Sequence, residues 1–142
     1  MFERTYERFL KSIGFSTLME KTIVGLVEKV KVNGDNGNKQ EITARIDTGA
    51  TKSSMDLKLA SELKLGPVIE STVIRSAHGT KLRPVIEAEI ELHGRKIKSH
   101  FTLADRNHMK YPMLIGQNIL KQGFLIDPSK ESSKENKSKD KE

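Results

Sequence analysis

Asp47 is the carboxylate of this sequence that is best placed for chemistry. It lies in the segment Ile46-Asp47-Thr48-Gly49-Ala50. Gly49 permits a backbone bend that a residue with a Cβ resists, and such a bend can aim backbone N–H groups at the carboxylate. The apolar neighbours Ile46 and Ala50 indicate a shielded position, which suits general acid–base catalysis. The alternative interpretation is an ordinary turn after a strand, because Asp and Gly are common turn residues.

An alternating strand leads into Asp47. Ile42, Ala44 and Ile46 fall on one face of a strand predicted over residues 40–47, since side chains in a strand alternate with period two. The Asn- and Gly-rich segment 33–38 predicts a tight turn, and residues 22–32 then form the hairpin partner of that strand.

One short helix is predicted after the acid, over residues 55–65, and Pro67 lies beyond its end. Asp56 either caps this helix or lies beside its start. The apolar positions predicted to face inward are Leu57, Leu59, Ala60 and Leu63. A second helical turn is predicted over residues 117–122.

The rest of the chain reads as short strands at close spacing. They are predicted over residues 71–76, 81–86, 86–92, 97–103 and 123–128. The first two are joined by a hairpin turn at Ala77-His78-Gly79-Thr80. Many short strands with turn signals between them predict an all-β, closed barrel with one or two short helices.

Length and composition indicate the domain organisation and exclude some classes of site. The 142 residues predict one domain over residues 21–128, an N-terminal extension over 1–20 and a disordered charged tail over 129–142. We interpret the extension as a marginal helix; the alternative is an extension that precedes a start at Met19. No cysteine is present, which excludes disulfides and thiolate sites. We find no membrane-length apolar run and no signal peptide, and we therefore expect a cytoplasmic protein.

The charge favours anionic partners. The net charge is +6 and the isoelectric point about 9.5. The lysines are dispersed, aromatic residues make up only 5% and Trp is absent, so we do not expect nucleic-acid binding. An acidic peptide explains the charge equally well.

Two motifs and their order resemble the retropepsin-like aspartic proteases over about residues 22–128. They are Ile46-Asp47-Thr48-Gly49-Ala50 before the central hairpin and Leu114-Ile115-Gly116 near the end of the chain. The sequence looks most similar to a microbial group labelled "ATP-dependent zinc protease", which is associated with glutamate-ligase systems. The segments that carry this closer similarity are Arg83-Pro84-Val85-Ile86, Asp105-Arg106, Tyr111-Pro112-Met113-Leu114-Ile115-Gly116 and Phe124-Leu125-Ile126-Asp127-Pro128.

The resemblance implies peptide hydrolysis by two carboxylates that share one proton around a water. Because the sequence holds a single Asp-Thr-Gly, the second Asp47 must come from another copy, which implies a homodimer with the site on its two-fold axis. The end strands would help to form the dimer interface. The substrate would be an extended peptide, acidic or poly-glutamate. The residues to which the resemblance assigns a role are Asp47, Thr48 and Gly49 in catalysis, Ala50, Ala77, His78 and Gly79 in peptide binding, and Leu114, Ile115 and Gly116 beneath the loop.

Some positions depart from the viral pattern. The hairpin tip has one Gly and a His. His78 could respond to pH or contact an acidic substrate, and the alternative is an exposed histidine at the tip of a hairpin. Thr51 and Gln117 are uncharged, where viral enzymes pair an acid with an arginine.

Two other functions stay open at this point: a peptide-binding module without catalysis, and a zinc hydrolase. The sequence has neither a His-Glu-x-x-His motif nor a phosphate-binding loop, so we expect no metal and no cofactor. The four histidines are His78, His93, His100 and His108.

Overall fold

A computed structural model of the chain describes Thr5, Arg8 and residues 21–131. Apart from Thr5 and Arg8, the helix predicted in the N-terminal extension lies outside the described residues, and so does the predicted tail from residue 132 onward. Among the residues that the structure describes, no helix has the length and apolar character needed to cross a membrane.

Strands dominate the described part of the chain. The strands are β1 (Thr22–Val24), β2 (Val27–Asn33), β3 (Lys39–Ile46), β4 (Ser53–Asp56), β5 (Val68–Ser76), β6 (Gly79–Leu92), β7 (Arg95–Ala104), β8 (Met113–Ile115) and β9 (Phe124–Ile126). The helices are α1 (Leu57–Glu62) and α2 (Gln117–Leu120).

Six of these strands close into a barrel. Their order is β2-β3-β8-β4-β7-β6, and β6 pairs back to β2 through Val32 and Ile90. Strand β6 is 14 residues long, so that its first half pairs with β5 and its second half with β7 and β2. The predicted all-β barrel with short helices is confirmed, and the β5–β6 hairpin extends from it.

The barrel interior is filled by the apolar residues of the alternating strands. Val30 and Val32 on β2 and Ile90 on β6 are fully buried, and exposed polar residues alternate with them on β2. Phe101 on β7 is the largest fully buried side chain of the described residues. Removal of this apolar surface from water is the main driving force that holds the strands together.

The prediction of a single strand over residues 22–32 was wrong, because two strands occupy this range. Strand β1 ends at Val24 and pairs in parallel with β9, whereas β2 starts at Val27 in the barrel. A Cβ on Gly25 would lie 2.7 Å from the carbonyl oxygen of Lys130, so only glycine fits at the break. The chain therefore changes sheets at a close backbone contact that the local pattern does not reveal.

The predicted start of the first helix was also wrong. Residues 53–56 form strand β4, which pairs with β7 and β8, and α1 begins at Leu57. Leu57 is 51% exposed and does not face inward, whereas the other predicted inward positions, Leu59, Ala60 and Leu63, are buried. Tertiary pairing of Met55 inside the barrel overrides the helical pattern. Asp56 precedes α1 without a capping hydrogen bond, and its carboxylate accepts the Arg106 N–H at 2.8 Å.

A buried carboxylate holds the corner between β1 and β2. Glu28 is 7% exposed and accepts hydrogen bonds from the Gly25 N–H at 2.7 Å and from Lys130 Nζ at 3.1 Å. His93 Nε2 lies 3.0 Å from its other carboxylate oxygen. Burial raises the pKa of Glu28, but the hydrogen bonds from Gly25 and Lys130 and the charges of His93 and Lys130 outweigh it and hold this pKa below its usual value. Lys130 belongs by sequence to the predicted tail, so this contact links that segment to the barrel.

We expect Glu28→Gln to destabilise the protein near pH 7 and to matter progressively less in acid. A carboxylate whose pKa is lower in the folded state stabilises the fold above its unfolded pKa of about 4.5, and this contribution disappears as the pH falls through the folded pKa. Urea unfolding of both proteins at a series of pH values between about 7 and 3 measures the difference. Glu62→Gln, on the exposed side of α1, is the control. A stability difference that does not change with pH would contradict the assigned role of the charge.

Candidate active site

Asp47 follows directly on the last residue of β3. Its N–H donates to the carbonyl oxygen of Ile115 at 2.9 Å, and the N–H of Ile46 donates to the carbonyl oxygen of Leu26 at 2.9 Å. The Asp47 side chain is partly buried, and its Oδ1 accepts the N–H of Gly49 at 2.9 Å. Within residues 21–131, no cation pairs with this carboxylate. The backbone bend expected from the sequence is present, and it aims one N–H at the acid.

The turn after Asp47 is tight. The N–H of Ala50 donates to the carbonyl oxygen of Asp47 at 3.3 Å, and Thr48 and Gly49 are exposed. A Cβ on Gly49 would lie 3.3 Å from Asp47 Oδ1, which is closer than most such contacts. A larger residue at this position would therefore press on the carboxylate.

The second predicted motif packs against this turn. Strand β8 pairs in parallel with β3, with Leu114 opposite Arg45 and Ile115 opposite Ile46. Gly116 is buried, and a Cβ there would overlap the carbonyl group of Lys52 and lie 2.9 Å from the carbonyl oxygen of Ala50. The absence of a side chain on Gly116 is what lets β8 approach the turn so closely.

Neutral hydrogen bonds hold the turn from the other side. Gln117 donates from Nε2 to the carbonyl oxygen of Thr48 at 2.7 Å and from its backbone N–H to that of Ala50 at 2.7 Å. The Asn118 N–H donates to the carbonyl oxygen of Thr51 at 3.2 Å. The uncharged Gln117 thus contacts the turn through dipoles instead of through an ion pair.

Sequence reasoning missed two residues that position this site. Ser53 is fully buried on β4; its Oγ accepts the Gly116 N–H at 2.9 Å and donates to Asn118 Oδ1 at 2.7 Å. Asn118 Nδ2 in turn donates to Ser99 Oγ and to the His100 carbonyl oxygen, both at 3.1 Å. The one available signal was the alternation of Ser53 with the apolar Met55, which is typical of a strand.

The predicted hairpin turn forms the tip between β5 and β6. Ala77, His78 and Gly79 are all exposed, and the His78 N–H donates to Ser76 Oγ at 3.2 Å. A hydrogen bond from Lys52 Nζ to Thr72 Oγ1 links the base of this hairpin to the loop after Asp47. The side chain of His78 is open to solvent at the tip.

The histidines do not converge on a metal site in the described residues. No group of three or more His, Asp or Glu side chains within Thr5, Arg8 and residues 21–131 could hold a metal ion. His93 lies beside Glu28, and His100 Nε2 is 4.0 Å from Glu87.

Comparisons with known proteins agree on the fold. The model of a family described as "RimB-like: Retropepsin-like aspartic endopeptidase RimB" matches residues 56–137, which is more than half of the chain and starts after Asp47. No curated protein matches the chain in sequence.

Solved structures match a larger share of the chain than the family model does. A protein of unknown function (DUF785) from Legionella pneumophila is 20% identical with a TM-score of 0.54, and the match covers 79% of this chain and 97% of that protein. The EIAV protease, complexed with the inhibitor HBY-793, is 24% identical with a TM-score of 0.54, and the match covers 67% of this chain and 84% of the protease. At these identities the structures show a shared fold.

We expect Ser53→Ala to destabilise the protein by about 1–3 kcal/mol, because it leaves the buried Gly116 N–H and Asn118 Oδ1 without their partner. Urea unfolding measures the loss, and hydrogen exchange of the Gly116 amide should become faster. The neighbouring Ser54→Ala is the matched control, since Ser54 is only half-buried on the same strand. Equal effects of the two substitutions would contradict the role given to Ser53.

Proposed function

The chain belongs to the RimB-like family of retropepsin-like aspartic endopeptidases, and from this premise we propose that it hydrolyses peptide bonds with two copies of Asp47 across a homodimer. The observation that carries the proposal is the setting of Asp47. Its carboxylate stands at the end of β3, is oriented by the Gly49 N–H and has no cation among the described residues to neutralise it.

In the proposed mechanism, the two carboxylates share one proton around a water. Two like charges in contact do not both ionise readily, so their titrations separate and one stays protonated. The ionised Asp47 removes a proton from the water, which attacks the peptide carbonyl carbon. The protonated Asp47 donates to the carbonyl oxygen, which gives a tetrahedral intermediate. The Asp47 that took the proton of the water then passes it to the peptide nitrogen, and collapse of the intermediate breaks the C–N bond, releases the amine and returns a hydroxyl proton to the other Asp47.

The need for a second copy follows from the sequence, which contains one Asp-Thr-Gly. Thr48 supports this arrangement, since its side chain is exposed and no described residue hydrogen bonds to its hydroxyl. We propose that the Thr48 residues of the two copies brace the turns against each other, and that Gly49 presents its backbone to the substrate.

An exposed apolar surface offers a place for the second copy. Ile23 on β1 is opposite Leu125 on β9 in the register, and these side chains are 50% and 39% exposed. Leu26 is 52% exposed, and its carbonyl oxygen accepts the Ile46 N–H immediately before Asp47. We propose that this β1–β9 patch (Ile23, Leu26 and Leu125) lies in the dimer interface, where association would bury it.

The substrate in this proposal is an extended peptide. It would lie under the β5–β6 hairpin as an added strand, with Ala50 beside it and with Ala77, His78 and Gly79 closing over it. The net charge of +6 supports an acidic peptide, and poly-glutamate tails are the specific substrate that the sequence resemblance implies. A cytoplasmic location stays a prediction of the sequence.

We expect Asp47→Asn to lower kcat/KM on an acidic peptide by at least about 100-fold, because asparagine cannot take up or release the proton. Mass spectrometry of the products and the kinetics of cleavage measure the loss. Asp105→Asn is a matched control: the Asp105 carboxylate likewise accepts the N–H two residues further on, at 3.0 Å, but it lies in the loop before β8. Cleavage that persists in purified Asp47→Asn protein would reject the mechanism.

We expect Leu125→Glu to weaken the dimer, since it places two charges in an apolar interface. Sedimentation velocity over a range of concentrations measures the shift toward monomer, and the specific activity should fall with it. Leu57→Glu is the control, because Leu57 is 51% exposed on α1, outside the β1–β9 patch. A wild-type chain that is active while strictly monomeric would refute the shared site.

A further inference from the structure

A cavity of about 180 Å³ opens beside the loop that follows Asp47. Its lining includes Lys52 from that loop, Glu70 and Thr72 from β5, His100 and Thr102 from β7, and Asn118 from α2. One water takes up about 30 Å³ in the liquid, so the cavity has room for an amino-acid side chain. The cavity is therefore lined both by the β5–β6 hairpin and by the barrel strand β7.

The cavity is built on the same backbone as the candidate catalytic turn. Asn118 donates its N–H to the carbonyl oxygen of Thr51 at 3.2 Å, and Gly116 packs against the carbonyl group of Lys52. Lys52 is five residues beyond Asp47, so their Cα atoms are at most about 17 Å apart. An extended peptide spans that distance with about five residues. The cavity therefore lies within reach of a peptide of about five residues that extends from Asp47.

The ammonium group of Lys52 has no ion-pair partner among the described residues, although Glu70 lines the same cavity. Lys52 is exposed, its Nζ donates to the neutral hydroxyl of Thr72, and no described carboxylate lies within ion-pair distance of it. An ammonium group has three donor hydrogens, so donors remain after the bond to Thr72. His100 at the rim is half exposed, and Glu87 lies 4.0 Å from its Nε2. Glu70 is the one acid of the lining, and it opposes a second negative charge there.

We propose that Lys52 determines specificity by binding a carboxylate side chain of the peptide next to the scissile bond. The hydrogen bond to Thr72 holds the Lys52 side chain against β5, where this solvent-exposed side chain lines the cavity. In the proposed dimer, the two-fold axis places one Lys52 on each side of the scissile bond. This inference rests on the proposed function for the location of the peptide, and it assigns the acid preference to one residue.

The test measures binding in the full chain carrying Asp47→Asn, so that the probe stays intact. Two fluorescein-labelled peptides of about ten residues, amidated at the C-terminus, carry either glutamates or glutamines at the same positions. We expect the glutamate peptide to bind about fivefold more tightly, the size expected for an exposed charge pair. The preference should shrink as salt is raised to about 1 M, where charges are screened beyond about 3 Å.

Three further substitutions, each made in the Asp47→Asn chain, test which residue causes the preference for the glutamate peptide. Lys52→Met should abolish the preference for the glutamate peptide, because it removes the ammonium group. Glu70→Gln should increase this preference, because it removes a negative charge from the cavity lining. Lys29→Met is the matched control, because Lys29 Nζ also donates to a threonine hydroxyl, Thr43 Oγ1 at 3.0 Å, but lies on β2 away from the cavity. Lys29→Met makes the same change in net charge and should leave the preference in place. Circular dichroism and thermal melts establish that each variant is folded.

A glutamate preference that survives in Lys52→Met, or that falls equally in Lys29→Met, overturns the proposal. So does a failure of the glutamate peptide to bind. Because binding requires no hydrolysis, an inactive wild-type chain that still shows a Lys52-dependent preference rejects the peptidase mechanism alone. A wild-type chain that cleaves the glutamine and glutamate peptides with equal kcat/KM rejects the role of Lys52 alone.

Discussion

The candidate site depends on one backbone hydrogen bond, from the N–H of Asp47 to the carbonyl oxygen of Ile115 at 2.9 Å. It extends the parallel pairing of β3 with β8 and so joins two segments that are far apart in the chain. The turn after Asp47 then rests on Gly116, whose missing side chain leaves room for the backbone of residues 50–52. Ser53 on β4 holds this contact in place by hydrogen bonds to the N–H of Gly116 and to the side chain of Asn118 on α2. The position of the carboxylate is therefore set by the barrel and not by the turn alone.

The barrel also carries the hairpin whose residues Glu70 and Thr72 line the cavity. Strand β6 is long enough to serve in the barrel with its second half and in the hairpin with its first. Lys52 and Thr72 connect the hairpin to the loop after Asp47, so a peptide held under the hairpin would meet both the acid and the cation. The proposed acid preference and the proposed carboxylate reaction centre are compatible, because Lys52 and Asp47 are separate residues of the same loop region.

The buried charge cluster around Glu28 supports the backbone of the β1–β9 patch. Glu28 binds the N–H of Gly25, where the chain passes from β1 to β2, and Lys130 Nζ also donates to the Ile23 carbonyl oxygen at 3.1 Å. Ile23 belongs to the β1–β9 patch, which we propose as the surface for the second copy. Because Glu28 needs its charge to hold this corner, acid that protonates Glu28 would loosen the support of the patch. The lower limit of activity in acid would then reflect assembly as well as chemistry.

Local sequence determined the parts of this protein that neighbours along the chain control. The Asn- and Gly-rich turn at residues 33–38, the alternating strands, the turn after Asp47 and the hairpin tip at His78 could all be read from short-range patterns. Only the tertiary structure decided the break at Gly25, the strand at residues 53–56 and the roles of Ser53 and Asn118. The carbonyl oxygen of Lys130 leaves no room for a side chain at Gly25. Met55 is in a strand because it pairs with β7 and β8, and the role of Ser53 comes from its hydrogen bond with the N–H of Gly116. These partners are more than 45 residues away in sequence, and a local pattern such as the alternation of Ser53 with Met55 can indicate a strand but does not reveal which distant residues it contacts.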